Sequence, residues 1–136
     1  MSTFKCAIVT PSEQILDEEV VEVEFPQWDG QRGVLHGAAP FVAKLGTGRL
    51  RIKFADGADR VYLLNGGFAE LHDDRLVLVA DEIVPKQELE LAEARERLGR
   101  AIEAVSAGGN TDLEVRARLE QERAVATAAV ALAEGG

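Results

Sequence analysis

The chain has 136 residues, 46% of them hydrophobic and 29% charged, with a formal net charge of −9. That is apolar material for one core, or a core with an appendage, and it excludes a globally disordered chain. Residues 1–84 carry 8 basic and 14 acidic side chains and residues 85–136 carry 7 and 10, so neither part offers the positive field on which nucleic-acid binding depends. No stretch approaches the roughly 20 apolar residues needed to cross a bilayer as a helix. The N-terminal residues lack a basic region leading into an apolar one, so a soluble chain without a signal peptide is expected. Cys6 is the only cysteine, which rules out an internal disulfide and fits a reducing compartment.

Residues 1–84 read as strands and turns. Phe4 to Thr10 alternates and stops at Pro11-Ser12, which places Cys6 as a small buried hydrophobe. Val21, Val23 and Phe25 are separated by Glu22 and Glu24, the period-2 pattern of a half-buried strand. Arg49 to Phe54 sets three apolar residues against three cations, Asp56-Gly57 breaks it, and Val61 to Leu64 returns as the second arm of a hairpin. A turn is expected at Asn65-Gly66-Gly67, then strands at Phe68–Leu71 and Leu76–Ala80 joined through His72-Asp73-Asp74. Closely spaced short strands predict an antiparallel sandwich or barrel.

The period changes at Pro85, where a helix is expected to begin. From Lys86 to Ser106 only Gly99 interrupts, and Leu91, Leu98, Ile102 and Val105 fall along one stripe. Glu93 with Arg97 and Glu96 with Arg100 have the i,i+4 spacing of helical ion pairs. Gly108-Gly109-Asn110 ends this helix, and Thr111 with Glu114 fits a capping box opening a second, alanine-rich helix that runs to about Ala133. So short a connection predicts an antiparallel hairpin. The fold class is therefore α+β: an N-terminal antiparallel β-sandwich or barrel over 1–84, then a two-helix hairpin over 85–136.

Reactive chemistry is not legible. His36 and His72 lie in different turns with no further ligands at metal-binding spacing. Asp73-Asp74 reads as a solvated turn, and Thr10, Ser12 and Thr47 have no base implied beside them. The glycines between Gly30 and Gly48 form neither phosphate-binding fingerprint. No catalytic residue, cofactor or metal is expected. A free-standing ligand-binding sandwich is the competing class, but only 5% of residues are aromatic, and Trp28, the sole tryptophan, sits on or near a turn.

The stretch from Gly33 through Leu35-His36-Gly37-Ala38-Ala39-Pro40 to Gly48, then Gly66-Gly67-Phe68-Ala69-Glu70 and Leu76 to Asp81, resembles the epsilon subunit of rotary (F-type) ATP synthases in order and spacing over residues 4–84. The resemblance implies a non-catalytic central-stalk subunit that couples proton-driven rotation to the catalytic head. Its sandwich would bind the gamma subunit and rest on the c-ring, at the cytoplasmic face of a bacterial plasma membrane and peripheral to it. It implies Gln31, Arg32, His36, Gly37, Ala38, Pro40 and Phe68 as gamma or c-ring contacts. In the family a proline stands where His36 is, a histidine where Ala38 is, and a carboxylate where Gln31 is. The hairpin would regulate ATP hydrolysis by contacting the catalytic beta subunit, with Arg116, Arg118 and Arg123 as candidates. The family's ATP-binding motif falls at Lys86–Leu91, where an acid replaces the cation, so no tight ATP binding is expected.

Overall fold

The structure, a computed structural model, describes residues 2–107 and 112–135. It divides into two compact units, Met1–Pro85 and Lys86–Gly136.

The first unit holds seven strands: β1 (Phe4–Val9), β2 (Gln14–Val20), β3 (Glu22–Gln27), β4 (Gly30–Leu35), β5 (Phe41–Lys53), β6 (Asp59–His72) and β7 (Arg75–Pro85). They form one sheet in the order β2-β1-β7-β6-β5-β3-β4. Every neighbouring pair is antiparallel except β1 and β7, which run parallel from Lys5↔Arg75 to Val9↔Val79. In a flat sheet β1 and β3 would lie four strand spacings, about 19 Å, apart. Yet Phe4, Cys6 and Ile8 of β1 share one apolar core with Val23 and Phe25 of β3. Arg60 of β6 also reaches Glu18 of β2 at 3.2 Å, across three spacings. The sheet therefore folds over on itself into a sandwich.

The alternation read from the sequence is what fills that core. Val23 and Phe25 of β3 and Leu50 and Ile52 of β5 are wholly buried. The intervening Glu24 and Arg51 turn outward and pair at 2.9 Å, with Asp59 3.1 Å from the same guanidinium. Burying side chains of this size contributes about 1.5–3 kcal/mol each.

Two expectations are corrected in this unit, and two strands are found that the sequence did not announce. Asn65-Gly66-Gly67 is not a turn but the middle of β6, which is continuous over Asp59–His72. Thr47 of β5 donates to Asn65 Oδ1 at 2.9 Å, and Asn65 Nδ2 donates to Glu82 Oε1 of β7 at 3.2 Å. This polar row ties three strands together, so the glycines bend the strand without reversing it. Strands β2 and β4 had no clear signature because they are the two edges of the sheet. Only Leu16 and Val20 of β2, and Val34 of β4, are buried. Pro85 ends β7 rather than opening a helix. The β1 ladder stops at Val79, so Pro85 sits where the strand is an edge and a missing N–H is tolerated.

In the second unit Lys86–Glu88 forms a 3-10 turn, α1 spans Leu91–Ser106 and α2 spans Leu113–Ala133. The α-helix thus starts six residues later than expected. Thr111 and Gly108-Gly109-Asn110 lie outside the described residues. Within them the cap of α2 is Asp112, whose Oδ1 accepts from the amides of Glu114 (2.9 Å) and Val115 (3.4 Å). The helices are antiparallel: Arg95, early in α1, lies 3.7 Å from Glu134, just beyond α2.

The buried stripe of α1 is Ala94 and Ala101, with Leu98 half-buried, whereas Ile102 is largely exposed. Val125, Ala126, Ala129 and Leu132 are the buried residues of α2. Small side chains gain little area on docking, which raises the weight of the Arg97–Glu122 pair. There Nε and NH2 of the arginine lie 2.6 and 3.2 Å from the two carboxylate oxygens. Arg97 thus reaches across to α2, while Glu96 and Arg100 form no pair among the described residues.

Gly99 is exposed, and a Cβ there would meet no atom within 4 Å. Gly99→Ala should stabilise the hairpin by about 1 kcal/mol, read as a rise in the helical signal's melting temperature.

Candidate subunit-docking surfaces

Among the described residues no group of three or more His, Cys, Asp or Glu side chains is placed to hold a metal ion. The two histidines are apart: His72 lies 3.2 Å from its neighbour Asp73 in the β6–β7 turn, and His36 lies beyond β4.

Cys6 is completely buried, and that burial, aided by the Asp17 carboxylate, pushes its thiol up to about 12. Native protein should therefore ignore a thiol reagent at pH 8 and react once unfolded. The unfolded thiol ionises near 8.5. Between there and about 12 the unfolded chain loses a proton that the folded one keeps. Stability should be unaffected by this group below about 8.5 and fall as the pH rises above it; denaturant titrations at pH 7 and 10 check the sign.

What the sandwich does present is an apolar face. Val9, Val79 and Phe68 stand side by side across β1, β7 and β6, with Lys44 of β5 next in the row. In the adjacent row Val77, Glu70 and Val42 follow one another across β7, β6 and β5. Alternation places these side chains opposite the buried Leu76, Leu78, Ala69 and Leu71, on the outside of the sheet. Phe68 is 61% and Val42 73% exposed. An exposed, largely apolar patch crossing several strands, with Lys44 at the end of one row and Glu70 within the other, is the usual mark of a protein–protein contact.

The loop from His36 to Pro40 continues this surface, since Val42 follows two residues after Pro40. All five loop residues are exposed. Leu35 O accepts from Ala38 N at 3.2 Å, and Gly37 has φ +82. His36 is not among the positive-φ residues, so this is a type II turn with glycine at the position that requires it.

Gln31 and Arg32 lie further back on β4. Gln31 is exposed and its Nε2 donates to Arg49 O at 3.5 Å. Arg32 is half-buried, its guanidinium 3.7 Å over the Phe41 ring, which in turn stacks on Phe25. Trp28, in the β3–β4 turn beside them, is 83% exposed.

On α2, Arg123 pairs with Glu120 at 3.0 Å. Arg116 and Arg118 are exposed and form no ion pair among the described residues.

A β-sandwich with an exposed, largely apolar face, followed by a helical hairpin, has the build of a binding subunit. Residues 3–86 match the family model described as ATP synthase, Delta/Epsilon chain, beta-sandwich domain. The chain is 36% identical over 104 residues to the ATP synthase epsilon chain of Rhodopirellula baltica, covering 76% of this chain and 80% of that one. It is 31% identical over 131 residues to that of Polynucleobacter necessarius subsp. necessarius, covering 96% and 94%. A chain in the cryo-EM structure of the Euglena gracilis mitochondrial ATP synthase (OSCP/F1/c-ring) superposes with a TM-score of 0.83 at 24% identity, over 95% of this chain and 80% of that one. The chain belongs to the ATP synthase delta/epsilon family as an epsilon-type, non-catalytic subunit. No helix of the described residues is long and apolar enough to cross a membrane.

Proposed function

We propose that this chain is a rotor subunit of the central stalk of a proton-translocating ATP synthase, peripheral to the cytoplasmic face of a bacterial plasma membrane. It docks the gamma subunit through the face centred on Phe68 and the loop from His36 to Pro40. It meets the c-ring at the end of the sandwich carrying Gln31, Arg32 and Trp28. The observation that carries this reading is the exposed, largely apolar face across four strands. A torque-transmitting subunit needs contact area and rigidity rather than reactive groups, and this face supplies the area on a sheet whose other side is a closed core. Capture of co-expressed gamma by the intact tagged chain tests it. Retention of gamma is expected; a folded chain that captures none makes the free-standing binding module the better reading.

A second role is favoured by Arg116 and Arg118, exposed cations without an acidic partner among the described residues. They suit an acidic segment of the catalytic beta subunit, with Arg123 beside them, and would let the hairpin restrain ATP hydrolysis. Removing residues 86–136 should raise hydrolysis by the assembled complex severalfold. An unchanged rate would sink this role.

A further inference from the structure

Two groups of the loop after β4 converge on the carboxylate of Asp74, and Asp74 and His36 are each tied in turn to the N-terminal segment. Asp74, in the β6–β7 turn, accepts from the Gly37 amide through Oδ1 at 3.0 Å. Its Oδ2 lies 2.5 Å from His36 Nδ1, and its main-chain oxygen accepts from Lys5 N of β1 at 3.1 Å. His36 Nδ1 is also 3.2 Å from Thr3 O. Both neighbours of that nitrogen are acceptors, so Nδ1 carries the proton and the ring orientation is set.

The backbone of Asp74 is unusual. His72 pairs with Arg75, leaving Asp73 and Asp74 as the two central residues of a tight hairpin turn with φ of 50° and 59°. Glycine is the residue that such a turn favours at the second position. Asp73 points its side chain into solvent (88% exposed), whereas that of Asp74 is only 34% exposed. An aspartate held in the left-handed region, with its carboxylate spent on another loop, is placed for that loop rather than for its own turn.

The loop it holds lacks the residue that would otherwise fix it. Position i+1 of a type II turn favours proline, whose ring sets φ in advance. His36 occupies that position, so its φ is free in the unpinned loop. We propose that Asp74 is a positioning residue: it fixes the His36-Gly37 turn, and with it the docking loop, by holding the His36 ring and the Gly37 amide together. The inference rests on the docking role proposed above for this loop.

Asp74→Gly tests it, because glycine suits the hairpin turn itself and removes only the carboxylate. In the full chain this variant should stay folded while exchange of the Ala38 amide speeds up at least tenfold and affinity for gamma falls about tenfold. Adding His36→Pro, which presets the same turn, should return Ala38 exchange to within about threefold of the parent. Leu35, ahead of it, is already in the extended conformation a residue before proline prefers. Unchanged Ala38 exchange in Asp74→Gly, or a double variant whose Ala38 amide exchanges as fast as that of the single one, overturns the proposal. If the parent chain captures no gamma, the docking role fails, and amide exchange alone still decides whether Asp74 fixes the turn.

Discussion

Replacing Gly67 with alanine is expected to destabilise the sandwich severely. A Cβ on Gly67 would lie 1.9 Å from Val79 O and 2.9 Å from its carbonyl carbon, both main-chain atoms of the neighbouring strand. No side-chain rotation relieves a clash with backbone, so β6 and β7 would have to separate where they now pair through Gly67↔Ala80. The residue also has φ +123, a conformation strained for any side chain. Steric displacement in a filled core and backbone strain each cost about 1–3 kcal/mol. Together, at about 2–6 kcal/mol, they reach the lower end of the whole stability of a small domain, about 5–15 kcal/mol. Gly67→Ala should therefore lose its cooperative thermal transition or melt far below the parent, as measured by circular dichroism. A shift of only one or two degrees would mean that the strands there are looser than the geometry indicates.

The second large effect should leave the fold alone. Phe68 is 61% exposed and its side chain stands outside the core, so Phe68→Glu should change the stability of the free chain by no more than about 0.5 kcal/mol. Gamma affinity should respond very differently. An aromatic residue at the centre of an apolar face is the sort of position that contributes about 2 kcal/mol or more to an interface, and a carboxylate there would have to be buried without a partner. The loss expected is at least thirtyfold, measured by titrating gamma against parent and variant at matched folded concentration. Binding within threefold of the parent would remove the Phe68 face from the docking surface.

How much of this was legible in the sequence depended on whether a residue's neighbours along the chain were also its neighbours in space. Val23, Phe25, Leu50 and Ile52 announced themselves because strands β3 and β5 have one face buried and one charged. Strands β2 and β4 did not, since an edge strand with one or two buried residues has no alternation to read. The bend at Asn65-Gly66-Gly67 looked like a reversal because the polar row joining Thr47, Asn65 and Glu82 exists only once three strands are aligned.

For the exposed apolar face a signal was present and unused. Leu76-Val77-Leu78-Val79-Ala80 is apolar at every position, although a sheet with a single core needs only alternate ones. The surplus residues, Val77 and Val79, are the outward ones. Asp74 had no such signal. In the sequence it looks like any turn aspartate, and its role depends on His36 and Gly37 arriving from the end of β4, an edge strand.

The parallel pairing of β1 with β7 also governs when the protein can be finished. Lys5 cannot meet Arg75, nor Val9 meet Val79, until the ribosome has made nearly the entire sandwich. At about 5–20 residues per second, that delay is roughly 4–14 s. During it β1 and β2 exist as an isolated hairpin, a unit with little stability of its own. Phe4, Cys6 and Ile8, sealed in the mature core, spend that interval open to solvent. The thiol that is inert in the finished subunit is thus vulnerable to oxidants chiefly as it is being synthesised, and damage there would appear as chains that never close rather than as assembled subunits that fail.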